Sequence, residues 1–277
     1  MAPLYKKALI IGATSGIGEA LAAKLLAEGS SVIVTGRRQD RLDAFAAKHG
    51  SSPTTTVGAY ALDVTQLSSL PAFAARVLAE HPDLDCVVLN AGIQRAFDFA
   101  RPQGVDLAAF DEEMATNYTA PVHLAAAFLP HLQSLGRQAH LVFVSAALGL
   151  VPFMTRTPGY NASKAALHSW VTAVRQQLGG SSGRGSKVRV VEVFPPAVQT
   201  ELHDERHQPD LRGGGEIGVP LAQFTEAMYA ELLKGEDQFA IGPAAAWLET
   251  GFEAERQKVF DKARGPLEKS LEKYMIR

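Results

Sequence analysis

The sequence predicts a doubly wound α/β fold: a parallel sheet of about seven strands with helices on both faces. Three observations carry this. Short apolar or β-branched runs alternate with longer amphipathic stretches along most of the chain. Those runs are hydrophobic at nearly every position rather than at every second one, as strands covered on both faces require. The first run also passes straight into a glycine-rich turn and then a helical pattern.

The elements follow in order. The strands are ALII (8–11), SVIVTG (31–36), TTVGAYAL (55–62), DCVVLN (85–90), AHLVFVSA (139–146), KVRVVEVF (187–194) and QFAIG (238–242). Between them lie the helical patterns EALAAKLLAEG, RLDAFAAKHG, LPAFAARVLAEH, a long stretch over 107–134, YNASKAALHSWVTAVRQQL and PLAQFTEAMYAELLKG. GGSSGRGS (179–186) reads as a surface loop. With no repeat and no linker, residues 1–277 are expected to form one domain, with a lid segment around 201–235 that is most mobile over 201–219. HDERHQPDLRGGG has few large apolar anchors there, and its three successive glycines suggest a hinge. A helical tail over 244–277 is expected to dock on the body through Trp247, Leu248, Phe252, Val259, Phe260, Leu267, Leu271 and Tyr274.

Composition narrows the function classes. With 47% hydrophobic and 20% charged residues, 277 residues can bury a sizeable core. A net charge of −2 provides no electrostatic footprint for nucleic acid or an anionic membrane, so small molecules are the expected partners. The single Cys86 excludes an internal disulfide and reads as a buried strand thiol, consistent with a reducing cytoplasm. No segment is apolar for long enough to span a membrane, and the N-terminal apolar run is too short for a signal peptide.

The turn after the first strand is Gly12-Ala-Thr14-Ser15-Gly16-Ile17-Gly18. Glycines there permit a tight turn and let backbone N–H groups and a helix N-terminus approach a pyrophosphate. The second strand ends in TGRR (35–38), where this kind of fold usually offers a carboxylate to the adenosine ribose. Gly36 stands in its place, followed by Arg37 and Arg38, whose guanidinium groups suit the extra phosphate of NADP.

Further along, Tyr160 and Lys164 lie four residues apart on one helix face. Taken in order, GATSGIG (12–18), Asp63-Val64, Asn90-Ala91-Gly92, Asn117, Ser145, Tyr160-x-x-x-Lys164 and Pro195-x-x-Val198-x-Thr200 make the chain resemble the short-chain dehydrogenase/reductase family to about residue 242. The resemblance implies a Rossmann-type sheet and a catalytic set of Asn117, Ser145, Tyr160 and Lys164. It places Asp63 and Val64 at the adenine, Asn90, Ala91 and Gly92 along the cofactor cleft, and Lys164 on the nicotinamide ribose. Pro195, Val198 and Thr200 would line the nicotinamide end. It also implies a homodimer or homotetramer assembled through the long helices after strands four and five. Ile11, Leu89 and Pro196 depart from the family pattern.

Physical reasoning supports these roles. A free phenol has a pKa of about 10, so ionising it near pH 7 costs about 4 kcal/mol. A neighbouring ammonium and the cationic nicotinamide are expected to lower that cost, favour the phenolate and make Tyr160 a general acid/base. Pro121 has no N–H for the carbonyl of Asn117, which is expected to leave that oxygen to a relay water. His203 and His207 have a metal-like spacing but no third ligand, so no metal is expected, and His168 reads as a core residue. Phe153, Met154, Leu202 and Leu211 suggest an apolar substrate. The expected activity is hydride transfer between NADP(H) and a carbonyl or alcohol. The alternative is a non-catalytic NADP(H)-binding redox sensor, which would need only the glycine turn and the arginines.

Overall fold

The computed structural model describes residues 2–50, 52–179, 186–271 and 274. Most of the expected loop at 179–186 and the last turn of the tail lie outside them. Seven strands form one parallel sheet: β1 (Lys7–Ile11), β2 (Ser31–Gly36), β3 (Val57–Ala61), β4 (Cys86–Leu89), β5 (Ala139–Val144), β6 (Val188–Phe194) and β7 (Gln238–Ala240). Their spatial order is β3-β2-β1-β4-β5-β6-β7. The chain winds outward from β1 to β3, then returns to place β4 against the other side of β1. That reversal opens a crevice at the carboxyl ends of β1 and β4, where doubly wound sheets bind ligands.

Strand side chains alternate between two apolar layers. Leu9, Ile11, Val87 and Leu89 face helices α3 (Leu70–Glu80), α5 (Ala120–Ser134) and α7 (Pro158–Gly179). Ala8, Ile10, Cys86 and Val88 face α1 (Gly16–Ala27), α2 (Gln39–His49) and α8 (Leu221–Lys234). Cys86 is free and buried, as its strand context predicts. Two of the family departures prove to be one: Ile11 and Leu89 are direct partners in the β1–β4 register, both buried in the same layer. Each apolar side chain compensates for the other.

Three expectations need correction. The stretch over 107–134 is not one regular helix: α4 (Leu107–Met114) passes through a π-turn (Ala115–Thr119) into α5. Pro121 cannot donate an N–H, and the widened turn absorbs the misfit just before it. Second, residues 221–234 are not lid but α8, whose Phe224 and Met228 are fully buried against α1. Third, the tail docks only by its near end. Trp247 and Leu248 on α9 (Ala245–Glu249) pack on the body, whereas Val259, Leu267 and Leu271 on α10 (Phe252–Leu271) are exposed, as is Tyr274. Among the described residues no helix is long and apolar enough to cross a membrane.

Candidate active site

A cleft of about 730 Å³ opens at the carboxyl ends of the strands. Its floor is the glycine turn. Gly12 has a positive φ of 86°, and a Cβ there would come 2.6 Å from the Cα of Ala91. A Cβ on Gly18 would lie 2.2 Å from the carbonyl oxygen of Gly12, so helix and strand close on each other only without side chains. Asn90 fixes this contact by donating Nδ2 to the Gly12 carbonyl at 2.7 Å. Thr200 covers Gly16, its Cγ2 3.1 Å from the position of a Cβ there. Thr14, Ser15 and Ile17 complete the floor.

At the β3 end, Asp63 lines the cleft and accepts the N–H and hydroxyl of Thr65 at 3.0 and 2.7 Å. Val64 beside it is buried. Beyond β2, the two arginines differ. Arg38 donates Nη2 to Ser15 at 2.7 Å and to Thr14 at 3.0 Å, and Nη1 to Glu201 at 2.6 Å. Arg37 is more than half exposed and pairs loosely with Glu112 at 3.8 Å. Both line the cleft, yet Arg38 is the one held against the glycine turn. Gly36 has a steric reason to be glycine, since a Cβ would meet Thr14 Cγ2 at 2.5 Å.

At the other end of the cleft, Ser145 follows β5 with its N–H bonded to Val193 O at 2.9 Å. Its side-chain oxygen is buried without a hydrogen-bond partner. Tyr160 and Lys164 occupy the first two turns of α7. Lys164 Nζ donates to the carbonyl of Val144 at 2.9 Å and stands 5.6 Å from the Tyr160 ring centroid. Burial, followed by the nearby Glu113 carboxylate, holds Tyr160 above its ordinary pKa, and burial pulls Lys164 down to about 8. The Lys164 ammonium is committed to that backbone carbonyl rather than to the phenol oxygen.

Asn117 is held in place through its side chain. Its Oδ1 accepts the Ile93 N–H and its Nδ2 donates to the Ile93 carbonyl, both at 2.9 Å, with a further bond from Nδ2 to Ser163 Oγ at 3.1 Å. The π-turn thus delivers an amide that clamps the loop after β4 to α7. Gly92 fits between, where a Cβ would stand 3.3 Å from Asn117 Oδ1 and 3.7 Å from Lys164 Nζ.

Pro195 accepts the N–H of Ala147, where α6 (Ala147–Leu150) begins, at 3.0 Å, and Val198 pairs with Val219 to start the covering segment. Pro196 packs near Gly242, whose Cβ would be 3.8 Å from its Cγ. The mouth is apolar: Phe153, Met154, Leu148, Leu202 and Trp247 line it, and Phe153 and Trp247 meet edge to face with ring centroids 6.3 Å apart. Leu211 does not reach the cleft and lies against Gly214 instead. Trp247 appears in the sequence only as an apolar tail position, and nothing local marks it as a site residue. His203 and His207 both line the cleft, and His207 is also bonded to Asp204 at 2.6 Å. No cluster of three metal-binding side chains exists among the described residues.

The residues present fit a dinucleotide. The glycine turn leaves room for a pyrophosphate at the start of α1, and the unpartnered Ser145 oxygen lies at the far end of the same cleft.

The family model described as short chain dehydrogenase matches residues 6–210. An uncharacterized oxidoreductase of Bacillus subtilis (strain 168), DltE, is 34% identical over 83% of this chain and 85% of its own length. An alcohol dehydrogenase of the archaeon Thermococcus sibiricus, solved with 5-hydroxy-NADP, superposes with a TM-score of 0.72 at 25% identity, covering 86% of this chain and 96% of that one. A short-chain dehydrogenase from Sphingobium yanoikuyae in complex with NADPH has a TM-score of 0.78 at 24% identity, over 94% of this chain and 96% of its own.

Proposed function

The chain belongs to the short-chain dehydrogenase family, and on that footing we propose that it is an NADP(H)-dependent carbonyl reductase or alcohol dehydrogenase for a small to medium apolar ketone or aldehyde. As a member it is an oxidoreductase that works with a nicotinamide cofactor. When bound, the nicotinamide supplies hydride to the carbonyl carbon, or takes it back from the alcohol. The protein's part is to hold the substrate oxygen and move its proton.

The observation that carries this reading is the buried, unpartnered hydroxyl of Ser145 in the cleft shared with Tyr160. A buried hydroxyl without a partner is costly unless a ligand completes it, and a carbonyl oxygen does so. In reduction Ser145 donates a hydrogen bond to that oxygen and Tyr160 gives it a proton, for which the raised phenol is in the correct state. Lys164 lies in the second turn of the same helix and restores charge balance as the phenolate forms. Asn117 keeps the loop at Ile93 fixed against this helix. The NADP preference draws on Arg37 and Arg38 and on the 5-hydroxy-NADP bound by the Thermococcus enzyme.

The test is NADPH consumption across ketones, aldehydes, quinones and diketones, followed by Tyr160→Phe. Turnover should fall by at least about a hundredfold while NADPH affinity changes little, because only the proton donor is removed. Turnover within a few-fold of the parent would remove Tyr160 from this role. Saturable NADPH binding with no oxidation against any carbonyl would favour a sensor instead.

A further inference from the structure

Glu113, on α4, is fully buried and has no part in the chemistry assigned above. Its Oε2 accepts the backbone N–H of Arg95 at 2.6 Å, in the loop that Asn117 clamps two residues earlier. Its Oε1 is buried with no partner and stands 2.5 Å from the place a Cβ on Gly159 would take. The carboxyl therefore fills the side-chain space of the residue just before Tyr160. Phe110 closes the seam, its ring carbons 3.1 Å from that same position.

A half-satisfied buried carboxyl is an expensive way to fill a seam, since a residue of similar volume without charge avoids the desolvation cost. What the carboxyl adds is an ionisable group between the cofactor-side loop and the catalytic turn. On α4, Glu112 turns outward to Arg95 and Arg37. From the loop, Arg95 sends its guanidinium to Glu112 and to the carbonyl of Ala109. From α7, the groups that sense Glu113 are Tyr160 and Lys164, and Lys164 also senses Glu192 of β6.

We propose that Glu113 is a positioning residue: it ties the loop after β4 to the first turn of α7, and its ionisation sets the pH at which Tyr160 and Lys164 hold their protons. The inference rests on the reductase reading above. Burial pushes the Glu113 carboxyl up to about 7, against the opposing pull of the Arg95 N–H and the charges of Arg95 and Lys164. Once ionised, it raises the Tyr160 phenol and props up the Lys164 ammonium that burial depresses. Both groups then keep their protons to higher pH. Removing the charge reverses the sign, so both lose their protons earlier.

Glu113→Gln keeps an acceptor for the Arg95 N–H and deletes the charge. In the full-length protein carrying carbon-13 at the lysine ε position, the Lys164 resonance, assigned by its loss in Lys164→Arg, should titrate lower in Glu113→Gln by roughly half a pH unit or more. An unchanged midpoint overturns the proposal, and this readout needs no turnover. In NADPH-driven carbonyl reduction the alkaline limb of kcat/KM should move down by the same amount, whereas Glu113→Asp, which keeps the charge, should hold it near the parent position. A loss uniform across pH with an unmoved limb would make Glu113 mere packing and overturn the inference. If the parent reduces no carbonyl, the functional reading fails and the lysine titration alone judges Glu113. If Glu113→Gln does not fold, the carboxyl carbon of Glu113 is titrated in the parent: a midpoint near 7 supports the proposal and one in the ordinary carboxylate range overturns it.

Discussion

Arg38 and Glu201 join the end of β2 to the first turn of the covering segment through a 2.6 Å ion pair, and the same guanidinium holds Thr14 and Ser15 of the glycine turn. A guanidinium fixed beside that turn is well placed for a ribose phosphate, and Arg37 adds a second, more exposed charge on the same rim. A hydrogen bond to a charged group contributes about 1.5–3 kcal/mol, or roughly ten- to hundredfold in affinity. The ratio of kcat/KM for NADPH over NADH should therefore fall by roughly that factor in Arg38→Ala, and further in the Arg37→Ala, Arg38→Ala pair. An undiminished ratio in the pair would show that neither arginine reads the phosphate. Introducing Asp at position 36 is a poor test, because its Cβ collides with Thr14.

The covering segment over 201–219 is predicted to be mobile until ligands bind. Its anchors to the body are polar: Glu201 pairs with Arg38 and Arg41, Arg156 donates to Gln208 at 2.5 Å and pairs with Asp210, and Gln208 reaches Gln94 at 2.8 Å. Of its three successive glycines, only Gly213 has the positive φ, with open space around it, that suits a hinge. Gly214 is a packing glycine, since a Cβ there would strike the His203 carbonyl. Amide exchange should be fast over 204–213 and slow on adding NADPH with a substrate, and Arg156→Ala should speed the free state further. Equal protection with and without ligands would rule out a lid.

The sheet and the placing of Tyr160 and Lys164 on one helix face were legible because each rests on local pattern. Strands covered on both faces write continuous apolar runs, and all seven appear where ALII through QFAIG predict them. Tyr160 and Lys164 declare themselves by helical spacing. What stayed hidden depends on partners distant in sequence. Arg38 outranks Arg37 because Thr14, Ser15 and, 163 residues away, Glu201 orient it. Leu221–Lys234 read as lid because an amphipathic helix does not reveal that its apolar face meets α1. Glu113 and Gly159 look unremarkable until α4 and α7 bring the carboxyl into the glycine's empty side-chain space.

Trp247 should control the size of substrate accepted. It enters the mouth from α9 and meets Phe153 edge to face, so the two rings form an apolar part of the cleft that Ser145 and Tyr160 also line. Trp247→Ala should raise KM for aryl ketones by roughly tenfold, the worth of an aromatic contact plus lost burial, and leave small aliphatic aldehydes nearly unchanged. Equal effects on both substrate classes would mean that Trp247 only supports the fold.

The near end of the tail is held by a buried ionic cluster that gives it a pH signature. His168 on α7 bonds Glu192 through Nδ1 at 2.8 Å and Glu253 through Nε2 at 3.1 Å, and Arg256 pairs with Glu253 at 2.7 Å. Burial opposes the imidazolium, but the hydrogen bonds and charges of Glu192 and Glu253 outweigh it and raise His168 to about 9. Glu253 moves the other way: burial raises it, yet bonds from His168 and Arg256 bring it down to about 2. A raised histidine stabilises the fold fully below its unfolded pKa of about 6.5 and loses that contribution as pH rises through 9. A depressed glutamate contributes above its unfolded value of about 4.5 and loses it as pH falls toward 2. The cluster therefore stabilises most between about pH 4.5 and 6.5 and weakens steadily above. Removing one partner of a buried ion pair costs roughly 3–5 kcal/mol, so Glu253→Ala should lower Tm markedly at pH 6 and much less at pH 9.5. Thermal unfolding of both proteins across that range checks it, and a Tm difference that does not shrink with rising pH would show that Glu253 anchors the tail by packing rather than by charge.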